Sequence, residues 1–223
     1  MSFRRRAFAS ATIALCILTM ILVVKDQSSF ASPKSTSNLP KSLPLPETRK
    51  LTDLQKAYLD SYNILSQTNS CSEFFGGPSS ITALNDFVKQ LRPSRLDKQV
   101  GIRMTGATTI VTKYATGFSY RLFQKAEINL DGPFYLGNVL PGRPTVHNVG
   151  GYSPNTREAR VTLLLHELGH LIRKNNGDWV LPNDGYDSSL SAENTDRVIA
   201  ACGKQIRDLQ RLSFAEELIA TQA

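Results

Sequence analysis

Residues 161–172 read VTLLLHELGHLI, and the placement of this stretch decides the fold. An α-helix advances about 100° per residue, so Val161, Leu164, Leu165, Leu168, Leu171 and Ile172 share one face. So apolar a face packs on a core, and the pattern predicts a helix over 157–173, capped by Ser153 or Asn155. His166 and His170 lie four apart on the opposite side. Imidazoles at i and i+4 start about 5–6 Å apart at the root and converge on one tetrahedral ion. Glu167 projects beside that point, where it could take a proton from an ion-activated water. The chain has three histidines and spends two of them here, between flanks that carry no charge.

Upstream of this helix the period changes twice. Leu51, Leu54, Tyr58, Tyr62 and Leu65 recur at helical spacing, with Thr52 and Gln55 placed as a capping box. A second helix is expected over 80–91, after the break at Gly76-Gly77-Pro78 and before Arg92-Pro93. From 99 to 135 alternation takes over: Val100, Ile102 and Met104, then β-branched residues 108–112, then Phe118, Tyr120 and Leu122, then Ile128 and Leu130. This predicts three or four strands in a small, mostly antiparallel sheet. Residues 132–154, rich in Gly, Pro and Asn, form a long loop that carries His147, a surface residue. Downstream, residues 178–187 are acidic and turn-prone, with Trp179 expected in packing. Ser191 is expected to cap a last long helix whose Val198, Ile199, Cys202, Ile206 and Leu209 face the core, with a short tail helix starting at Ser213.

The 223 residues, 41% hydrophobic and 20% charged, suit one folded domain and exclude wholesale disorder. The net charge of +7 is uneven: Arg4, Arg5, Arg6 and Lys25 against Asp26 place +3 of it within residues 1–31. No dense basic run lies beyond that head, so no nucleic-acid partner is expected. Residues 1–31 have the layout of an export signal: a basic start, an uncharged apolar run over 7–24, and Ser29-Phe30-Ala31 at a cleavage position. The same run is long enough to act as an N-terminal membrane anchor. Residues 32–50, SPKSTSNLPKSLPLPETRK, read as a linker, and 51–223 as the folded domain. Either reading of the N-terminus places the domain outside the cytoplasm, secreted, periplasmic or held at the membrane. There Cys71 and Cys202 are expected to form one disulfide.

VTLLLHELGHLI resembles the active-site helix of the zincin metallopeptidases, where uncharged residues surround HExxH. The order of small sheet, HExxH helix and C-terminal helix is also zincin-like. The stretch 184–202, with Ser191, Asn194-Thr195 and Cys202, resembles uncharacterised exported bacterial HExxH proteins. The resemblance implies an α+β zincin-like fold, Zn²⁺ on His166 and His170, Glu167 as general base, and a peptide or protein substrate. A zinc-binding but inactive envelope or binding protein is the alternative. A catalytic zinc needs a third protein ligand. The metzincin pattern would put Gly at 173 and His or Asp at 176, where this chain has Arg173 and Asn176. Gluzincins use a Glu from the next helix, which points to Glu193. Other zincins use an Asp from the connecting loop, which points to Asp184, with Asp178 and Asp187 also in range. Asp184 and Glu193 both stay open. Gly169 would let a loop approach the helix, and Tyr152 and Tyr186 are candidate oxyanion stabilisers.

Overall fold

Thr52 and Gln55 close the first helix as their spacing predicts. The Gln55 amide donates to Thr52 Oγ1 at 3.3 Å, and the Thr52 amide donates to Gln55 Oε1 at 2.8 Å. The computed structural model describes residues 52–97, 99–113, 116–137, 146–185 and 187–220, with side chains as far as 209. The export signal or anchor at 1–31 and the linker at 32–50 lie outside the described residues. Helix α1 spans Asp53–Ser66, α2 Ser70–Phe74 and α3 Ser80–Gln90. The break between α2 and α3 falls at Gly76 and Gly77, both at positive φ, which a glycine adopts without Cβ strain.

The sheet differs from expectation in two ways. Arg92-Pro93 ends α3, as expected, but the extended conformation favoured before a proline continues as a strand, β1 (Leu91–Ser94). It pairs parallel to the chain at 126–129, so the α+β sheet is mixed rather than mostly antiparallel. Pro93 is tolerated because β1 is an edge strand. The four short runs between 100 and 130 are two long strands, β2 (Ile102–Lys113) and β3 (Phe118–Asn129), paired antiparallel. The register slips between Thr105 and Thr108, where Gly106 takes φ +87°, so an irregularity bends one strand instead of a turn dividing two. The order is β1-β3-β2, and a short strand after the HExxH helix, β4 (Ile172–Arg173), pairs with β3 at Ser119 and Tyr120. Tyr120 is fully buried against α3, where its hydroxyl donates to Asp86 Oδ2 at 2.6 Å. Asn129, at the far end of β3, is also fully buried. Its side chain donates to the carbonyls of Asp97 and Val100 and accepts from the amides of Leu96 and Asp131, closing the 95–101 loop.

Helix α4 (Arg157–Leu171) carries HExxH. Its cap is Thr156, not Ser153 or Asn155. Thr156 Oγ1 accepts from the Ala159 amide, because Asn155 sits at φ +65° and turns the chain into the helix one residue later. The helix ends at Leu171 rather than Arg173, since β-branched Ile172 joins the sheet as β4. Val161, Leu164, Leu165, Leu168 and Leu171 are all buried, each contributing about 1.5–3 kcal/mol of transfer free energy. Packing therefore fixes the helix more firmly than its propensities would. Its opposite side is buried too: Glu158, Thr162, His166 and His170 face neighbouring elements, not solvent.

The last helix, α5, spans Ser188–Ala220 without the expected break at 213. Asp187 holds its start: one carboxylate oxygen accepts from the amides of Ser189 and Leu190. Ser191, the expected cap, lies one turn inside. Val198, Cys202, Ile206 and Leu209 face the core as predicted. Cys71 on α2 and Cys202 on α5 form the expected disulfide across a separation of 131 residues, with Cα atoms 4.4 Å apart. At the start of α4, Arg157 clasps Asp60 of α1 through two bonds of 2.7 Å. No helix among the described residues is long and apolar enough to cross a membrane.

Candidate metal centre

Two adjacent turns of α4 deliver His166 and His170, and the segment after β4 brings Asp184 back to them. That segment lies flat on the end of the helix. The Leu181 amide donates to the Gly169 carbonyl and the Val180 amide to the Ile172 carbonyl, each at 2.9 Å. Gly169 permits this, as anticipated for a loop approaching the helix. A Cβ built there would sit 2.5 Å from Leu181 side-chain atoms. From α5, Asn194 Nδ2 donates to the Pro182 carbonyl at 3.0 Å and fixes the approach to Asp184.

Three potential ligand atoms then converge. Asp184 Oδ2 lies 3.1 Å from His166 Nε2 and 3.4 Å from His170 Nε2, and the two ring nitrogens are 3.1 Å apart. Ligands at 2.0–2.1 Å from a tetrahedral ion are about 3.3–3.4 Å from one another, so this triangle has nearly the right size. Its chemistry also fits a cation. A carboxylate only accepts hydrogen bonds. One proton shared within the triangle leaves a second pair meeting lone pair to lone pair, and two protons set N–H against N–H. A central cation satisfies all three atoms at once. The His166/His170/Asp184 cluster can therefore hold a metal ion. His166 and His170 are only 5% and 3% exposed, so their competition with water is small.

The electrostatics follow from burial and mutual contact. Burial raises the Asp184 carboxyl, but hydrogen bonds to both imidazoles outweigh it and hold the group far below the usual carboxylate range. Burial lowers His170, but the Asp184 hydrogen bond and the Glu167 charge reverse the sign and raise it. Glu167 is raised, chiefly by burial, with Asp184 adding to the effect and the two histidines opposing it. No hydrogen-bond partner holds its carboxylate among the described residues.

Of the two open third positions, the fold brings Asp184 to the histidines and leaves Glu193 exposed, outside the cluster. Asp178 is exposed in a turn and Asp187 caps α5. Tyr152 is not brought to the site: its phenol faces Arg207 and Glu158, near the opposite end of α4. Tyr186 lies outside the described residues. His147 is exposed in its loop. Trp179 packs as expected, with the Arg121 guanidinium 4.0 Å over its ring.

Two neighbours escape sequence reasoning. Thr195 Oγ1 lies 2.9 Å from His166 Nδ1. Thr195 appeared in the sequence only within the stretch 184–202, where the resemblance gave it no role. Arg121 Nε donates to the His170 carbonyl at 2.8 Å, a contact between residues 49 apart with no signal in the sequence. Comparison of the chain with protein-family models, curated proteins and solved structures returns no match.

Proposed function

We propose that the protein is a metal-dependent hydrolase. More specifically, we infer a zinc peptidase with Zn²⁺ on His166, His170 and Asp184 and with Glu167 as general base. The observation that carries this reading is the convergence of the three ligand atoms beside Glu167. Two histidines and a carboxylate are a donor set that zinc accepts, with a fourth position left for water or substrate. When bound, the ion lowers the pKa of water and polarises the scissile carbonyl. Glu167, with its pKa raised by burial, suits proton transfer nearer neutral pH than an ordinary carboxylate. It takes a proton from the attacking water as the oxygen bonds to the carbonyl carbon. It then gives that proton to the amine nitrogen as the C–N bond breaks. The Cys71–Cys202 bond supports an oxidising, extracytoplasmic compartment, where the substrate would be an exported peptide or protein.

The deep burial of both imidazoles favours one competing reading, in which the site holds zinc without turnover. Metal analysis and a mixed peptide library separate the two. The peptidase reading expects about one zinc per chain, the stoichiometry of a single three-ligand catalytic site. Zinc should be lost in His166→Ala, His170→Ala and Asp184→Ala and kept in Glu193→Ala. Glu167→Gln should keep zinc and lose hydrolysis. Zinc without cleavage in the wild type supports the inactive reading, and metal-free wild-type protein purified without chelator defeats both.

A further inference from the structure

We propose that a groove beside the metal centre is a substrate subsite for acidic side chains, with Lys174 and Arg197 as its specificity-determining residues and Trp179 as its wall. The inference rests on the peptidase reading above and adds the class of peptide that such an enzyme would take.

The chain leaving α4 folds back on itself before it reaches Asp184. Arg173 bridges to Trp179, the Lys174 amide donates to the Asp178 carbonyl at 2.7 Å, and the Gly177 amide donates to the Lys174 carbonyl at 3.0 Å. Between this hairpin and α5 runs a groove of about 440 Å³, lined by Lys174, Gly177, Asp178, Trp179, Pro182 and Arg197. That volume is within the range of small-ligand sites. The groove shares a wall with the metal centre. The Pro182 carbonyl accepts from Asn194 Nδ2 at 3.0 Å, and the same nitrogen lies 3.4 Å from Asp184 Oδ2. Arg197 follows Asn194 by three residues, on the same side of α5. Pro182 and Asp184 are separated by at most about 7 Å of chain. An extended substrate advances about 3.3 Å per residue, so it passes from the metal centre into the groove within about three residues.

The charge there is one-sided. The Arg121 guanidinium lies 4.0 Å from the Trp179 ring centre and that of Arg173 lies 6.0 Å from it, while Lys174 and Arg197 line the groove itself. Four cations thus meet one carboxylate, Asp178, whose Oδ2 already accepts from Asn176 Nδ2 at 2.8 Å. None of the four makes an ion pair among the described residues. Arg121 Nη2 is even buried without a hydrogen-bond partner. Elsewhere the protein matches its arginines with acids: Arg157 with Asp60, Arg160 with Asp53, Arg103 with Glu127. Unmatched like charges repel one another, and an arriving anion relieves that repulsion. Arg197 is also held ready, since its Nη2 donates to the Val180 carbonyl at 3.2 Å. Its remaining N–H groups are those with which a guanidinium grips a carboxylate. Lys174 extends into solvent at the rim and adds a second positive charge. The half-exposed Trp179 ring gives the methylenes of a glutamate an apolar surface.

The test measures binding of fluorescent Ala/Gly peptides that differ only in carrying Glu, Gln or Lys, at low salt. Zinc-loaded Glu167→Gln protein is used, so that cleavage does not consume the probe. The Glu peptide should bind about tenfold more tightly than the Gln peptide, and the Lys peptide should bind most weakly. Lys174→Glu, placed in that background, changes an exposed side chain and should reverse the order of the Glu and Lys peptides. Arg197→Gln should reduce the preference for Glu, and Lys56→Glu on α1, away from the groove, should leave it intact. Equal binding of the Glu and Gln peptides overturns the proposal. So does an equal effect of Lys56→Glu and Lys174→Glu, which would assign the preference to the net charge of the protein. An oligothymidylate of matching charge that binds as tightly as the Glu peptide would make the groove a general polyanion site and overturn it too. Cleavage of the three peptides by the wild type separates the two levels of inference. Cleavage without preference for Glu removes the subsite and keeps the peptidase. Selective binding of the Glu peptide without cleavage of any keeps the subsite and removes the peptidase. The ranking of the three peptides needs no groove variant, so a misfolded Lys174→Glu protein leaves the test standing.

Discussion

Gly169 sits between the two histidines with no side chain, and the loop bearing Asp184 depends on that. A methyl at this position would meet the fully buried Leu181, which has nowhere to move. Gly169→Ala should therefore destabilise the domain by about 1–3 kcal/mol, the usual cost of overpacking. It should also weaken zinc, because the same clash lifts residues 181–184 off the helix. Truncating the neighbour as well, in Gly169→Ala with Leu181→Ala, should cost less than the sum of the two single changes. Urea denaturation of the four proteins measures this, and a fully stable Gly169→Ala variant would refute the close approach. HExxH was legible at this scale because its spacing is local. Thr195 and Arg121 were not, because each acts on a histidine 29 or 49 residues away.

Among the elements, the β2–β3 pair carries most of the sheet and one buried charge. Glu127 on β3 is nearly inaccessible, yet Lys125 and Arg103 reach it at 2.8 and 2.9 Å, Arg103 from directly across the ladder. Hydrogen bonds from Lys125, Arg103 and Ser94 lower its carboxyl from an ordinary 4.5 to about 2, against the opposing pull of burial. A carboxylate whose pKa falls on folding stabilises the protein above its unfolded pKa and loses that contribution as pH falls through the folded value. The urea midpoint of the wild type should thus decline from about pH 4.5 down to pH 2, and Glu127→Gln should flatten that part of the curve. An unchanged slope in the variant would show that Glu127 is not the group responsible. The same elements show where periodicity reaches its limit. Alternation identified β2 and β3 correctly as extended, but it could not separate one bent strand from two short ones. It also missed β1, a four-residue strand that exists only because β3 offers it an edge.

Across the whole molecule, the disulfide ties α2 to α5, while α5 also carries Asn194 and Thr195 to the metal centre. For a loop of 131 residues, chain entropy alone makes the bond worth about 5 kcal/mol. The oxidised domain should show no free thiol after alkylation and should lose several kcal/mol of stability on reduction, about the chain-entropy value. Zinc affinity should fall less steeply, because the local hydrogen bonds of α5 do not pass through the sulfurs. Two alkylated cysteines in protein from an oxidising compartment would remove the bond from the account. By itself the sequence determined what short-range physics can encode: the helical faces, the capping box at Thr52, the amphipathic HExxH helix, the extended nature of 102–129, and a cysteine pair suited to one bridge. It left Asp184 and Glu193 equal, since both are carboxylates at permissible distances along the chain. Only the tertiary structure decided between their positions. The backbone bonds of Val180 and Leu181 to the end of α4 swing Asp184 over the two imidazoles, whereas Glu193 leaves α5 on its solvent side. Which carboxylate meets two histidines depends on a path through space, and that path is set by packing between residues far apart in the chain.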